Sequence, residues 1–198
     1  MKNTLLTLAA VFGLFGSLLV QADESGKSLF NGKDLTGWKA PEGNIWWIVE
    51  DGILKVRSGP DQKGSILWSE EEFTDFAVTL DFKFGEGIID SGVHVKSQDQ
   101  IQIGISGSLK RDMTASPYIP GKGYPVEAEG VKELLKMDDW NTLKIEVKGM
   151  TYTSYLNGKK VMTYTSVSGK EKGPIGLQLH GKRDMSIDFR SIKVGELK

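Results

Sequence analysis

Hydrophobic and polar residues alternate along much of this chain with a period of two. Phe76-Ala-Val-Thr-Leu-Asp-Phe-Lys-Phe84 and Gln100-Ile-Gln-Ile-Gly-Ile105 are the clearest runs. Successive side chains of an extended strand point to opposite faces, so such a run buries one face and leaves the other polar. Strands are read in the same way at Trp46 to Arg57, Ile88 to Lys96, Trp140 to Val147, Tyr152 to Leu156, Ile175 to His180 and Met185 to Val194. Asp51-Gly52 and Asn157-Gly158 fall between such runs and predict tight hairpins, because glycine accepts the positive φ of the turn. Only Val131 to Met137 leaves room for a helix, and a short one. Ten or more short strands punctuated by 24 glycines predict an all-β antiparallel sandwich or barrel. Its core is expected to hold Leu54, Val56, Val93, Val95, Ile101, Ile103, Leu177, Leu179 and Phe189.

The start of the chain breaks this pattern. Lys2 is followed by an apolar run from Leu5 to Val20, then Val20-Gln-Ala22 before two acids. A charged start, an apolar stretch too short to span a bilayer and small residues before a cut describe a secretory signal peptide over residues 1–22. Removing those 22 of 198 residues leaves 176, which suits one domain, read here over residues 27–198. With Lys2 gone, 24 basic residues face 26 acidic ones. So even a balance gives no reason to expect nucleic acid or an anionic membrane as partner. Cysteine is absent, which excludes thiol chemistry, disulfides and Cys-based metal sites.

Candidate chemistry comes from the faces opposite the apolar one. Gln100, Gln102 and Gly104 share such a face, as do His94 with Lys96, and Gly176, Gln178 and His180. Both histidines of the chain thus stand beside three glutamines and a lysine, a set suited to sugar hydroxyls, and the glycines leave room for a ligand near the backbone. A solvated outer face is the other reading. Asp90-Ser-Gly92 is a turn that explains itself by Asx hydrogen bonding or presents a carboxylate at the rim. Gly107 to Gly130 is a long irregular stretch, and such loops tend to be functional; Arg111, Asp112 and Tyr118 lie on it. Trp46 and Trp47 are neighbours, so one of them is expected outside the core, while Trp140 is expected inside it. No metal-ligand spacing is present, and no strand carries the alternating acids of an ordinary glucanase.

Three phrases carry a likeness: Ser28-Leu-Phe-Asn-Gly-Lys-Asp-Leu-Thr-Gly-Trp38, Gly173-Pro-Ile-Gly-Leu-Gln-Leu-His-Gly181 and Ile187-Asp-Phe-Arg-Ser-Ile-Lys-Val194. Together they resemble the 3-keto-disaccharide hydrolase domain family over roughly residues 27 to 198. That resemblance implies an antiparallel jelly-roll β-sandwich of the concanavalin A-like lectin/glucanase type. It also implies an exported bacterial protein, periplasmic or extracellular, that cleaves glycosides whose C3 hydroxyl has become a ketone. Such a ketone acidifies the C2 hydrogen and makes the C1 aglycone a β-positioned leaving group. His180-Gly181 matches the family phrase, Asp90-Ser-Gly-Val93 resembles its turn, and Lys96 stands where arginine is common. Gln100-Ile-Gln102 falls where Glu-Val-Gln is frequent, and His94 where an aromatic or apolar residue is usual.

The catalytic set implied is His180 or His94 as the base at C2, Lys96 near the enolate oxygen and Asp90 at the border. Imidazole suits this role because its ordinary pKa lies near 6.5. Gln100, Gln102 and Gln178 are expected to bind the sugar. No resident cofactor is assigned, and a divalent metal stays open. The partner is a carbohydrate, and oligomeric state is not readable. A non-catalytic carbohydrate-binding module of the same fold is the alternative.

Overall fold

The computed structural model describes residues 26–96 and 98–197, so the leader read at residues 1–22 lies outside the described residues. Two antiparallel sheets stack face to face in a jelly-roll sandwich, as the alternation predicts. One sheet contains β1 (Lys27–Ser28), β3 (Trp47–Glu50), β4 (Ile53–Arg57), β6 (Phe76–Gly87), β10 (Asn141–Lys148), β11 (Thr151–Leu156), β12 (Lys159–Thr165) and β14 (Met185–Glu196). Its order is β12-β11-β10-β6-β14-β4-β3, with β1 against β14. The other runs β2 (Trp38–Lys39), β5 (Ser65–Phe73), β13 (Gly173–Leu179), β7 (Asp90–Val95), β8 (Gln100–Gly104) and β9 (Pro117–Tyr118). A single turn of helix, α1 (Val131–Leu134), is the one helix among the described residues.

The two hairpin signals act as expected. Asp51 and Gly52 both take positive φ, 53° and 77°, between β3 and β4, and Asn157 and Gly158 do so between β11 and β12. Every residue expected in the core is buried, Leu179 being the most exposed at 1 %. These side chains join Phe76, Phe82 and Tyr152 in one cluster between the sheets.

Three expectations change. β5 has no counterpart in the alternating runs, because Glu70-Glu71-Glu72 masks the end of Ser65–Phe73. Trp46 and Trp47 are both buried: Trp47 belongs to β3 and donates to Ser65 Oγ at 2.9 Å, whereas Trp46 precedes the strand and packs against Gly59. Trp140 is only half-buried, its ring covered by the Arg190 guanidinium at 4.0 Å.

Candidate functional site

Three hydrogen-bonded neighbours, β13, β7 and β8, form the floor of the site. The apolar residues Val93, Val95, Ile101, Ile103, Leu177 and Leu179 point to the core, which sends the alternate residues to the outer face. Register then decides who meets whom. Gln178 lies opposite Gly92, which lies opposite Gln102; Gly176 lies opposite His94, which lies opposite Gln100. At the end of this ladder the His180 amide donates to the Asp90 carbonyl at 3.3 Å. The long stretch after β8 folds back over this face and makes it a cavity of about 510 Å³. Asp90, Gln100, Gln102, Gln178 and His180 line it from below, and Ser106, Tyr118, Tyr124 and Arg183 from the sides.

Side-chain amides order the floor. Gln100 Nε2 donates to the Ser91 carbonyl at 3.1 Å and to Gln102 Oε1 at 2.9 Å; Gln102 Nε2 donates to Asp90 Oδ1 at 2.8 Å. Gly92 makes this possible, since a Cβ there would come within 2.2 Å of Gln100 Nε2. The other carboxylate oxygen, Asp90 Oδ2, faces Arg183 Nη1 at 3.1 Å as an ion pair and lies 4.0 Å from His180 Nε2. Gly107 lets the roof descend onto this pair, because a Cβ there would sit 2.9 Å from Arg183 Nη2.

His180 is the most accessible of these groups, with 43 % of its side chain exposed. Its Nδ1 lies 2.8 Å from the Gly181 carbonyl. A carbonyl only accepts, so Nδ1 carries the hydrogen and Nε2 of the neutral ring keeps its lone pair. Tyr124 is held as a neutral phenol: burial chiefly, with the Asp90 charge adding to it and a hydrogen bond from Ser106 opposing it, pushes its pKa up to about 12. The cavity therefore offers a lone pair, a guanidinium and a phenolic O–H around one buried carboxylate. Asp90 Oδ2, Gln178 Oε1 and Arg183 Nε are buried yet have no hydrogen-bond partner among the described residues. Buried polar atoms left unmatched in this way are costly without a ligand or water to meet them.

Two expected members of the site stand elsewhere. Lys96 follows β7 in a left-handed conformation, φ 61°, which turns it away from the polar face. Its buried Nζ donates to the Gly149 carbonyl at 2.9 Å and faces Asp75 at 3.7 Å, at the far end of the strand from Asp90. Burial lowers its pKa more than the Asp75 charge restores it. His94 does lie on the outer face but is 3 % exposed and does not line the cavity. Its ring packs against Trp68 with centroids 5.2 Å apart, and desolvation lowers its pKa to about 4. It is a neutral packing group at neutral pH.

The glycines also differ from expectation. Gly176 is covered by the Trp68 ring, and a Cβ at Gly104 would strike the Ile89 carbonyl at 2.4 Å. Neither leaves a gap for a ligand. On the roof, Tyr118 lines the cavity, whereas Arg111 pairs with Glu127 at the surface and Asp112 accepts from the Thr114 amide.

Arg183 and Tyr124 are absent from the sequence reading. Both sit in irregular segments, where no periodicity reports direction. Arg183 is three residues past His180 in the turn to β14, and that short spacing is the one signal that points to it. For a divalent cation, Asp90 and His180 are the facing acid and imidazole, and no group of three or more His, Asp or Glu is placed to hold a metal ion among the described residues.

The sequence profile of the 3-keto-alpha-glucoside-1,2-lyase-like domain matches residues 25–195, and the chain belongs to that family. No curated protein matches it. Among solved structures, a presumed glycosyl hydrolase of Parabacteroides distasonis shares 25 % identity at a TM-score of 0.64, covering 86 % of this chain and 98 % of that one. The β-glucanase of Bacillus licheniformis shares the fold at 15 % identity and a TM-score of 0.59, covering 86 % and 97 %. A carbohydrate-binding module of Bacillus subtilis shares it at 16 % and 0.53, covering 81 % and 96 %.

Proposed function

We propose that this protein is a carbohydrate-active enzyme that cleaves 3-keto-glycosides by elimination across C1 and C2. The observation that carries the reading is His180, whose Nδ1–H is committed to Gly181 and whose Nε2 lone pair stands beside the Asp90–Arg183 pair. Nε2 takes the C2 proton, and the C2–H electrons form the C2=C3 double bond as charge moves onto the C3 oxygen. Arg183 lies where a guanidinium stabilises that enolate oxygen, in the role first expected of Lys96. The enolate then collapses: C1=C2 forms, the C3 carbonyl returns and the C1–O bond to the aglycone breaks. Tyr124, neutral across the physiological range, supplies a proton to the departing oxygen and is reprotonated from solvent. Water then adds to C1, Nε2 returns its proton to C2 and the proton of the water goes to solvent, which completes a net hydrolysis and restores the base. No electrons are gained or lost overall.

The amides of Gln100 and Gln102 hold the Asp90 carboxylate in place, and Gln178 Oε1 is free to accept from a sugar hydroxyl. A divalent cation, if one is recruited, would be held by Asp90 and His180, with substrate or water filling the remaining positions; activity before and after chelation decides this. The reading has the protein exported, which fractionation of the producing cell tests.

The decisive measurement is aglycone release from a 3-keto-glycoside and from its unoxidised parent. Release from the first alone is expected. Binding of the sugar without turnover of either would favour the second reading, a carbohydrate-binding module. Gln100 supports that reading, because an amide there cannot serve as a base.

A further inference from the structure

The outer face of the six-stranded sheet does not end at the cavity. β5 lies on the other side of β13, and its outward residues are Ile66, opposite Gln178, and Trp68, opposite Gly176. A Cβ on Gly176 would fall 2.6 Å from Trp68 Cε3 and Cζ3 and 3.0 Å from Ile66 Cγ2. The missing side chain thus lets the indole lie down across β13 toward His94, whose ring packs against it with centroids 5.2 Å apart and planes tilted by 41°. Ile66 and Trp68 remain half-buried, so part of this apolar shelf is open to solvent.

The other tryptophans do not offer such a surface: Trp38, Trp46 and Trp47 are core, and Trp140 is covered by Arg190. The shelf adjoins the polar floor through Ile66, whose register partner Gln178 lines the cavity. His180 stands four positions along the chain from Gly176, just past the end of β13, a span of about 13 Å in extended backbone.

We infer that Trp68, with Ile66 beside it, is the subsite that receives the leaving-group ring of the disaccharide substrate to which the family resemblance points. The apolar C–H face of a pyranose suits a flat aromatic surface, whereas its hydroxyl edge suits the amides next to it. The span leaves the reacting ring among Asp90, His180 and Arg183, and the second ring over the indole. His94 is then a positioning residue: its uncharged ring fixes the indole without drawing a charge under it.

This inference rests on the glycoside reading, but its test is separable from it. Binding of an unoxidised disaccharide and of the matching methyl glycoside is measured by calorimetry for the parent, Trp68→Ala and Trp68→Phe. The parent should bind the disaccharide more tightly. Trp68→Ala should lose about tenfold for the disaccharide, the scale of an aromatic stacking contact, and change little for the methyl glycoside. Trp68→Phe should keep most of the affinity.

Equal losses for both ligands, no loss for either, or a parent that does not favour the disaccharide each overturn the subsite. A parent that fails to release the aglycone from a 3-keto-disaccharide defeats the lyase reading alone and leaves this comparison standing.

Discussion

The two ends of the β7–β8 hairpin both bury polar side chains, and they treat them in opposite ways. Past Val95, Lys96 donates to Gly149, and Asp99 accepts from Tyr152 at 2.8 Å and from Ser166 at 2.6 Å. At the other end Asp90 of β7, Gln178 of β13 and Arg183 of the following turn bring together a carboxylate oxygen, an amide oxygen and a guanidinium nitrogen with no hydrogen-bond partner among the described residues. One end is closed upon itself and locks the sheets together. The other is half-finished and opens onto the cavity. Burial and charge alone do not separate a structural cluster from a candidate site; unmatched polar atoms do so only where they also line a cavity, since the His94 ring nitrogens are unmatched too but packed under Trp68.

The contrast breaks most sharply at His180. His180→Ala should lower turnover of a 3-keto-glycoside by about 10²-fold or more and leave the melting temperature nearly unchanged. Unchanged turnover would shift the role of base to Asp90.

His94 sharpens the contrast through pH. Its pKa of about 4 in the folded protein lies below the ordinary 6.5, so the unfolded chain binds the extra proton between those values. Stability from this group is complete above pH 6.5 and is lost as pH falls through the window toward 4, by about 3 kcal/mol in all. Urea unfolding at pH 7.5, 5.5 and 4.5 should reveal this slope, and His94→Phe should flatten it.

The smallest effect belongs to the closed end. Tyr152→Phe removes one donor from the buried Asp99 and should cost about 1–3 kcal/mol with no change in turnover. A loss of turnover there would erase the distinction between the two ends.

Much of this was legible before the coordinates. Period-two alternation places Gln100, Gln102, Gln178 and His180 on outward faces because strand geometry leaves no other choice, and the pairing of β13, β7 and β8 then brings them together. Alternation fails where the chain stops being a strand. Lys96 continues the pattern on paper, but a positive φ one residue past β7 reverses it. His94 keeps its expected face yet loses its expected exposure, because Trp68 reaches it from β5, a strand the charge run conceals. Arg183 and Tyr124 come from loops, whose course depends on what they pack against.

The order of strands in the six-stranded sheet has a consequence for how the protein is made. β13 sits between β5 and β7, and its partners lie about a hundred and about eighty residues earlier: Gly176 pairs with Trp68, and Ile175 with Val95. A chain emerging from its amino end therefore holds β5 and β7 through nearly eighty further residues of synthesis without the strand that joins them. Closing such long loops is entropically costly and slow, and unpaired edges stay open meanwhile. The polar floor and the tryptophan shelf are thus assembled in one late event, when Gly173 to Leu179 inserts between two waiting strands. A chain stopped short of that segment would hold many of the site's residues but have no site.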